Sequence, residues 1–148
     1  MATLEVLAER FGYEDLEVAF PEIDIPVLTG AQRQGDILVV PRRPPAQWPK
    51  THVQSLNGVV VTDSEISDNT HALYGDGLVL LAEGMSRQQA VWWRQVDNIL
   101  AWLNVPEGGE AYLMHSEEHG ALGIGPGTYQ ILQQQEFDEH VGWFPVAD

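Results

Sequence analysis

From Gly35 onward the apolar residues come in short runs separated by turn formers, and this pattern constrains the fold more than any other feature. It is the signal of a small all-β domain. Ile37 to Val40 and Val59 to Val61 read as strands. Between them Pro41, Pro44, Pro45 and Pro49 remove the backbone donors that continuous pairing needs, so Arg42 to Gln54 is expected as a surface loop, with Trp48 capping the core. Leu78 to Leu81 and Ala111 to His115 are further expected strands, and Gly125-Pro126-Gly127 is a tight turn. Thr128 to Phe137 reads as one long strand with Tyr129, Ile131, Gln133, Gln135 and Phe137 on one side. Its polar members, Gln133, Gln134, Gln135 and Glu136, suit an exposed strand end; the other reading is the lining of a polar cavity.

Ser86 to Val105 supports two readings. Ser86 with Gln89 resembles a capping box, and Trp92, Val96, Ile99, Leu100 and Leu103 would share a helical face. Alternatively, Ala90 to Val96 and Ile99 to Val105 form a hairpin that turns at Asp97-Asn98, with Trp92 or Trp93 packed across it. The hairpin is the expectation adopted.

Upstream, Thr3 stands as an N-cap before a short helix whose Leu4, Leu7, Ala8 and Phe11 share one face, and Gly12 can end it. Tyr13 to Gln34 mixes acids with large apolar residues and carries Pro21 and Pro26, which suits an extended arm. The expected organisation is a helix and arm over 1–34 and a β domain over 35–148. The class is mainly β, a small barrel or two-sheet sandwich. With 148 residues, 44% of them hydrophobic, one ordinary core can be buried. Leu4, Leu7, Phe11 and Phe20 are candidates for self-assembly or protein contact through the arm.

The formal net charge of −15 argues against nucleic-acid phosphates as a direct partner, because association would work against long-range repulsion. Met1 to Asp24 alone holds seven acids against one arginine. Solubility is the ordinary use of such acidity; mimicry of phosphates in a basic groove is the sharper one. No window approaches the roughly 18 to 20 apolar residues of a membrane span. Glu5 and Glu9 also stand where a signal peptide would be basic and then apolar. A cytoplasmic location in the host cell is expected, with the virion as the alternative. The absence of cysteine excludes disulfides and thiolate chemistry.

Met114-His115-Ser116-Glu117-Glu118-His119-Gly120 gathers two of only five histidines with two carboxylates just before a turn. Imidazole and carboxylate together can bind a divalent metal or move a proton near neutral pH. Ser116 has no nucleophile elbow around it. Asp36, Asp63 and Glu65 read as turn and strand-end residues, and Gly125-Pro126-Gly127 lacks the strand-to-helix context of a phosphate loop.

Four ordered segments then suggest a relationship: Gly35 to Pro41, Val59 to Glu65 leading into His71, Glu117-Glu118-His119-Gly120, and Pro126-Gly127-Thr128-Tyr129 through Gln135-Glu136-Phe137. In this order the chain resembles a group of small uncharacterised proteins of bacteria and their phages, which carry GDVLIVPV, TGHAH, HEEHGP and PPGxYxVxxQREY segments. The resemblance covers Gly35 to Asp148 and brings no activity with it. Against its pattern, Asn69 replaces the first histidine of TGHAH while His71 matches the second. Ser116 replaces the first histidine of HEEH while His119 matches the last. His115 is displaced by one residue, and on a strand that reverses the side-chain face unless the backbone shifts.

His115 and His119, four apart, fall on one side of a helix or strand. With His71 and Glu117 they are the candidates for a cupin-like site holding a divalent transition metal. The matched segments keep only two histidines, so no cofactor is expected. Three functions remain open. The first is a non-enzymatic accessory or structural protein of phage or mobile-element type, acting through protein contacts. The second is a cupin-like metal-dependent enzyme or small-ligand binder, and the third is an acidic inhibitor of a nucleic-acid-handling enzyme.

Overall fold

A computed structural model describes residues 2–12, 23–44, 53–63, 70–81, 99–115, 120–138 and 142–145. In chain order these form β1 (Ala2–Thr3), α1 (Leu4–Arg10), β2 (Asp24–Ile25), β3 (Val27–Leu28), β4 (Gln32–Gln34), β5 (Ile37–Pro41) and β6 (Val53–Asp63). They continue with β7 (Thr70–Leu81), β8 (Ile99–Val105), β9 (Ala111–His115), β10 (Ala121–Ile124), β11 (Gly127–Gln133), β12 (Gln135–Asp138) and β13 (Gly142–Pro145). The main sheet runs β3-β10-β9-β7-β8-β11-β5-β4, with β6 laid along β7. It curls strongly into a half-barrel, so the mainly β class is the one found.

The interior follows from the two-residue period of strands. Ile37 and Val39 of β5, Leu73 of β7, Leu103 of β8, Leu113 of β9 and Ile131 of β11 are wholly buried in one apolar cluster. β9 is buried at every position. Ala111 and Leu113 belong to that interior cluster, while Tyr112 and Met114 pack with Leu4, Leu7 and Ile25. Covered on both faces, β9 needs its near-continuous apolar run.

Curvature has an identifiable local cause at Gly75. Up to this residue β7 pairs with β9, His71 to Gly75 opposite His115 to Ala111. Beyond it, Leu78 to Leu81 pair with β8. Gly75 has φ of 99°, a left-handed conformation that suits glycine, and a Cβ there would lie 2.6 Å from the Glu110 carbonyl oxygen. The change of partner is fastened by Asp76, whose N–H donates to Glu110 O at 2.8 Å and whose Oδ2 accepts from Glu110 N–H at 3.1 Å. The curl carries β4 toward β10, where side-chain amides cross between strands. Gln32 Nε2 donates to Gly123 O at 2.7 Å, and Gln34 Nε2 donates to Leu113 O at 2.9 Å and Gly120 O at 3.3 Å.

The helix forms as its sequence dictates. Thr3 caps it by accepting from Val6 N–H at 3.3 Å, and Gly12 follows it at φ of 83°. Leu4, Leu7 and Ala8 are buried. Phe11 stacks on Tyr74, with ring centroids 4.6 Å apart.

Several boundaries differ from expectation. β6 begins at Val53, inside the expected loop, and β7 begins at Thr70, well before Leu78. The register shifts of β6 against β7, one spanning Gly58 at φ of 87°, break the alternation that marks a strand in sequence. The segment read as an arm contributes strands: β3 pairs parallel to β10 and β4 pairs antiparallel to β5. The long strand divides at Gln134. Its N–H donates to Asp36 O at 2.7 Å, while β12 pairs with β13 in a separate sheet, so Gln135 and Phe137 do not extend the β11 ladder. Ile99 to Val105 is a strand, but its partners are β7 and β11, one on each edge. The Asp97-Asn98 hairpin is therefore not the pairing β8 makes; Ser86 to Asn98, with Trp92 and Trp93, and Trp48 lie outside the described residues.

Candidate functional site

The apolar interior gives way to polar side chains at one end, in a single step along each strand. Two residues before Leu73 stands His71, two after Leu113 stands His115, and two after Ile131 stands Gln133. Each takes the next inward position on its strand. The last residue of β4 supplies Gln34, and the turn before β5 supplies Asp36. His71, His115, Gln34 and Asp36 are all buried, His71 at 1% exposure and Asp36 at 5%.

His71 and His115 are directly opposed in the β7-β9 ladder. His115 N–H donates away from β7, to Gly120 O at 3.0 Å. The two therefore form the non-hydrogen-bonded kind of pair, in which side chains approach more closely. Their rings meet edge to face, with centroids 4.3 Å apart. His71 Nδ1 lies 2.9 Å from Gln34 Oε1, and its Nε2 lies 3.7 Å from Asp36 Oδ1. Asp36 is held from its other oxygen, Oδ2 accepting from Gln133 Nε2 at 3.0 Å. Asp36 Oδ1 is buried and makes no hydrogen bond among the described residues. Leaving a buried acceptor unmatched costs about 1–3 kcal/mol, so its retention asks for a reason.

The sequence-derived candidates separate clearly. His71 and His115 are brought together, and His115 reaches the interior without any backbone displacement. His119 and Glu117 lie outside the described residues, as does Phe20. Among the described residues no group of three histidines and carboxylates is placed to hold a metal ion. Leu4 and Leu7 face their own sheet, Leu7 with no exposure at all, and Phe11 lies against Tyr74 and Tyr112. Asp36, read as a turn residue, is central to the cluster, and Gln133 is half-buried and bonded to Asp36 rather than lying at an exposed strand end. Gln34 carried no signal in the sequence beyond its position just before Gly35.

Residues 33–134 match a family model described as a domain of unknown function, DUF8820. No curated protein and no solved structure matches the chain significantly.

Proposed function

The chain belongs to the DUF8820 family, and from that premise we propose that it binds a small polar ligand at the histidine-bearing end of the half-barrel. The observation that carries this reading is the buried Asp36 Oδ1, aimed at the His71 imidazole with no hydrogen-bond partner among the described residues. Ligand sites in barrels combine an apolar wall with a few convergent polar groups at the mouth. Leu73, Leu113 and Ile131 supply such a wall, and His71, His115, Asp36 and Gln133 supply the convergent groups. His71 is one residue into β7, and His115 is the last residue of β9, so both stand where connecting segments leave the sheet. The protein-contact and inhibitor roles draw on surface character, and the polar interior adds nothing to either.

The test is a screen of small polar fragments by ligand-observed NMR, repeated with Asp36→Asn. Binders that lose contact in the variant, while the fold is retained, support the reading. A screen without binders, or one whose binders are indifferent to Asp36→Asn, overturns it.

A further inference from the structure

Resting on that reading, we propose that the seam where β4 meets β9 and β10 is the door to the buried site, opening locally while the rest of the sheet stays paired. Among the described residues, β4 pairs through its backbone with β5 alone, and β10 with β9 and β3 alone. Side chains bridge the space between them. Gln32 Nε2 donates to Gly123 O at 2.7 Å, and Gln34 Nε2 donates to Leu113 O at 2.9 Å and to Gly120 O at 3.3 Å. Elsewhere neighbouring strands are joined by backbone ladders, as Tyr129 to Gln133 are to Pro41 to Ile37. A ladder bond breaks only when its strands separate, whereas an amide on a rotatable stem lets go by changing rotamer. Both strands then keep their own backbone pairing, so release at this border disturbs less than separation of a paired one.

The surroundings give the seam a hinge and give its opening a consequence. β3 stays fastened to β10, since Gly125 N–H donates to Leu28 O at 2.8 Å. Thr29, Gly30 and Ala31, which join β3 to β4, are exposed, and a Cβ at Gly30 would meet nothing within 4 Å. The edge of the half-barrel uncurls by rotation at this link. Gln34 Oε1 lies 2.9 Å from His71 Nδ1, so the amide that closes the seam also lies against the site. Its withdrawal uncovers His71, His115 and Asp36, which are 1%, 2% and 5% exposed in the closed form. Side chains so deeply buried are reached by a ligand only through an opening, and a border held without a backbone ladder is where opening is easiest.

The experiment follows exchange of the imidazole C2 hydrogens of His71 and His115 with deuterium in the full chain, read by mass spectrometry of its peptides. Below the unfolding transition the exchange is expected to be insensitive to urea, because local opening uncovers little surface. Gln32→Ala removes a seam bond two residues from Gln34, and it is expected to raise both rates about fivefold, in the range of one ordinary hydrogen bond. Leu7→Ala weakens the fold from the helix side, and it should leave both rates within about twofold of native. Rates that climb steeply with urea and with Leu7→Ala, or that ignore Gln32→Ala, overturn the proposal. If fragments bind under those results, the binding site stands and only its door fails. Exchange that is local and raised by Gln32→Ala, with no fragment binding, leaves the door and removes the binding reading.

Discussion

Replacing Leu7 with alanine tests whether the N-terminal helix is part of this domain's own core. Leu7 is fully buried, packed among Leu4, Ile25, Tyr112, Met114 and Ala121. The change removes three carbons, worth about 2.4 kcal/mol at roughly 0.8 kcal/mol for each buried carbon, before any cavity forms. Incomplete collapse of the site adds to this, and the better helix propensity of alanine returns only a few tenths. A loss of about 3 kcal/mol is expected. Val6, 52% exposed on the same helix, provides the control, since Val6→Ala should stay within about 0.5 kcal/mol. Urea denaturation reads both, and with a slope of about 2 kcal/mol per molar the Leu7→Ala midpoint should fall by about 1.5 M at unchanged slope. A loss under about 1 kcal/mol, accompanied by a change in oligomeric mass, would refute this reasoning and make Leu7 an intermolecular contact.

Further outcomes follow from single positions. Gly75→Ala combines a left-handed φ with a 2.6 Å approach to Glu110 O, and thermal unfolding should show a loss of about 2–4 kcal/mol. Tyr112 is pushed up to about 12 from 10.0, first by burial and then by its hydrogen bond to Glu110. Since its folded value is raised, its contribution is whole below its ordinary value and lost as pH rises toward 12; denaturation over that window should show stability falling in the native protein and less so in Tyr112→Phe. Elemental analysis of the purified protein should find no stoichiometric transition metal, because tight sites need three or four placed donors. One metal per chain, abolished by His119→Ala, would contradict that.

The parts of the fold that could be read in sequence are those governed by local period and capping. Ile37 to Val40 and Ala111 to His115 alternate or run apolar as buried strands do, and Thr3 with Gly12 brackets the helix by backbone chemistry alone. β6 escaped because its register shifts break alternation, and the early part of β7 because its meaning lies in a change of partner at Gly75. The site was half legible. His71 and His115 stood out as residue types, but their meeting depends on the register between two strands far apart in sequence, which no local pattern encodes. Gln133 carried a usable signal in its parity with Tyr129 and Ile131. Gln34 carried none, since it sits in a segment whose prolines and acids read as an arm, and its role appears only once β4 is brought to β10.

The most direct test of the central claim is the stability of Asp36→Asn in urea. If the carboxylate is kept for a ligand, the near-isosteric amide can still accept from Gln133 through its oxygen, while the buried carboxylate oxygen that has no hydrogen-bond partner among the described residues is removed. The predicted result is a protein as stable as the native one or up to about 1 kcal/mol more stable, the lower end of the cost of an unmatched buried acceptor, with fragment binding lost. A loss of about 3 kcal/mol or more, as breaking a buried ion pair gives, would contradict the account and make Asp36 a structural partner of a charged His71.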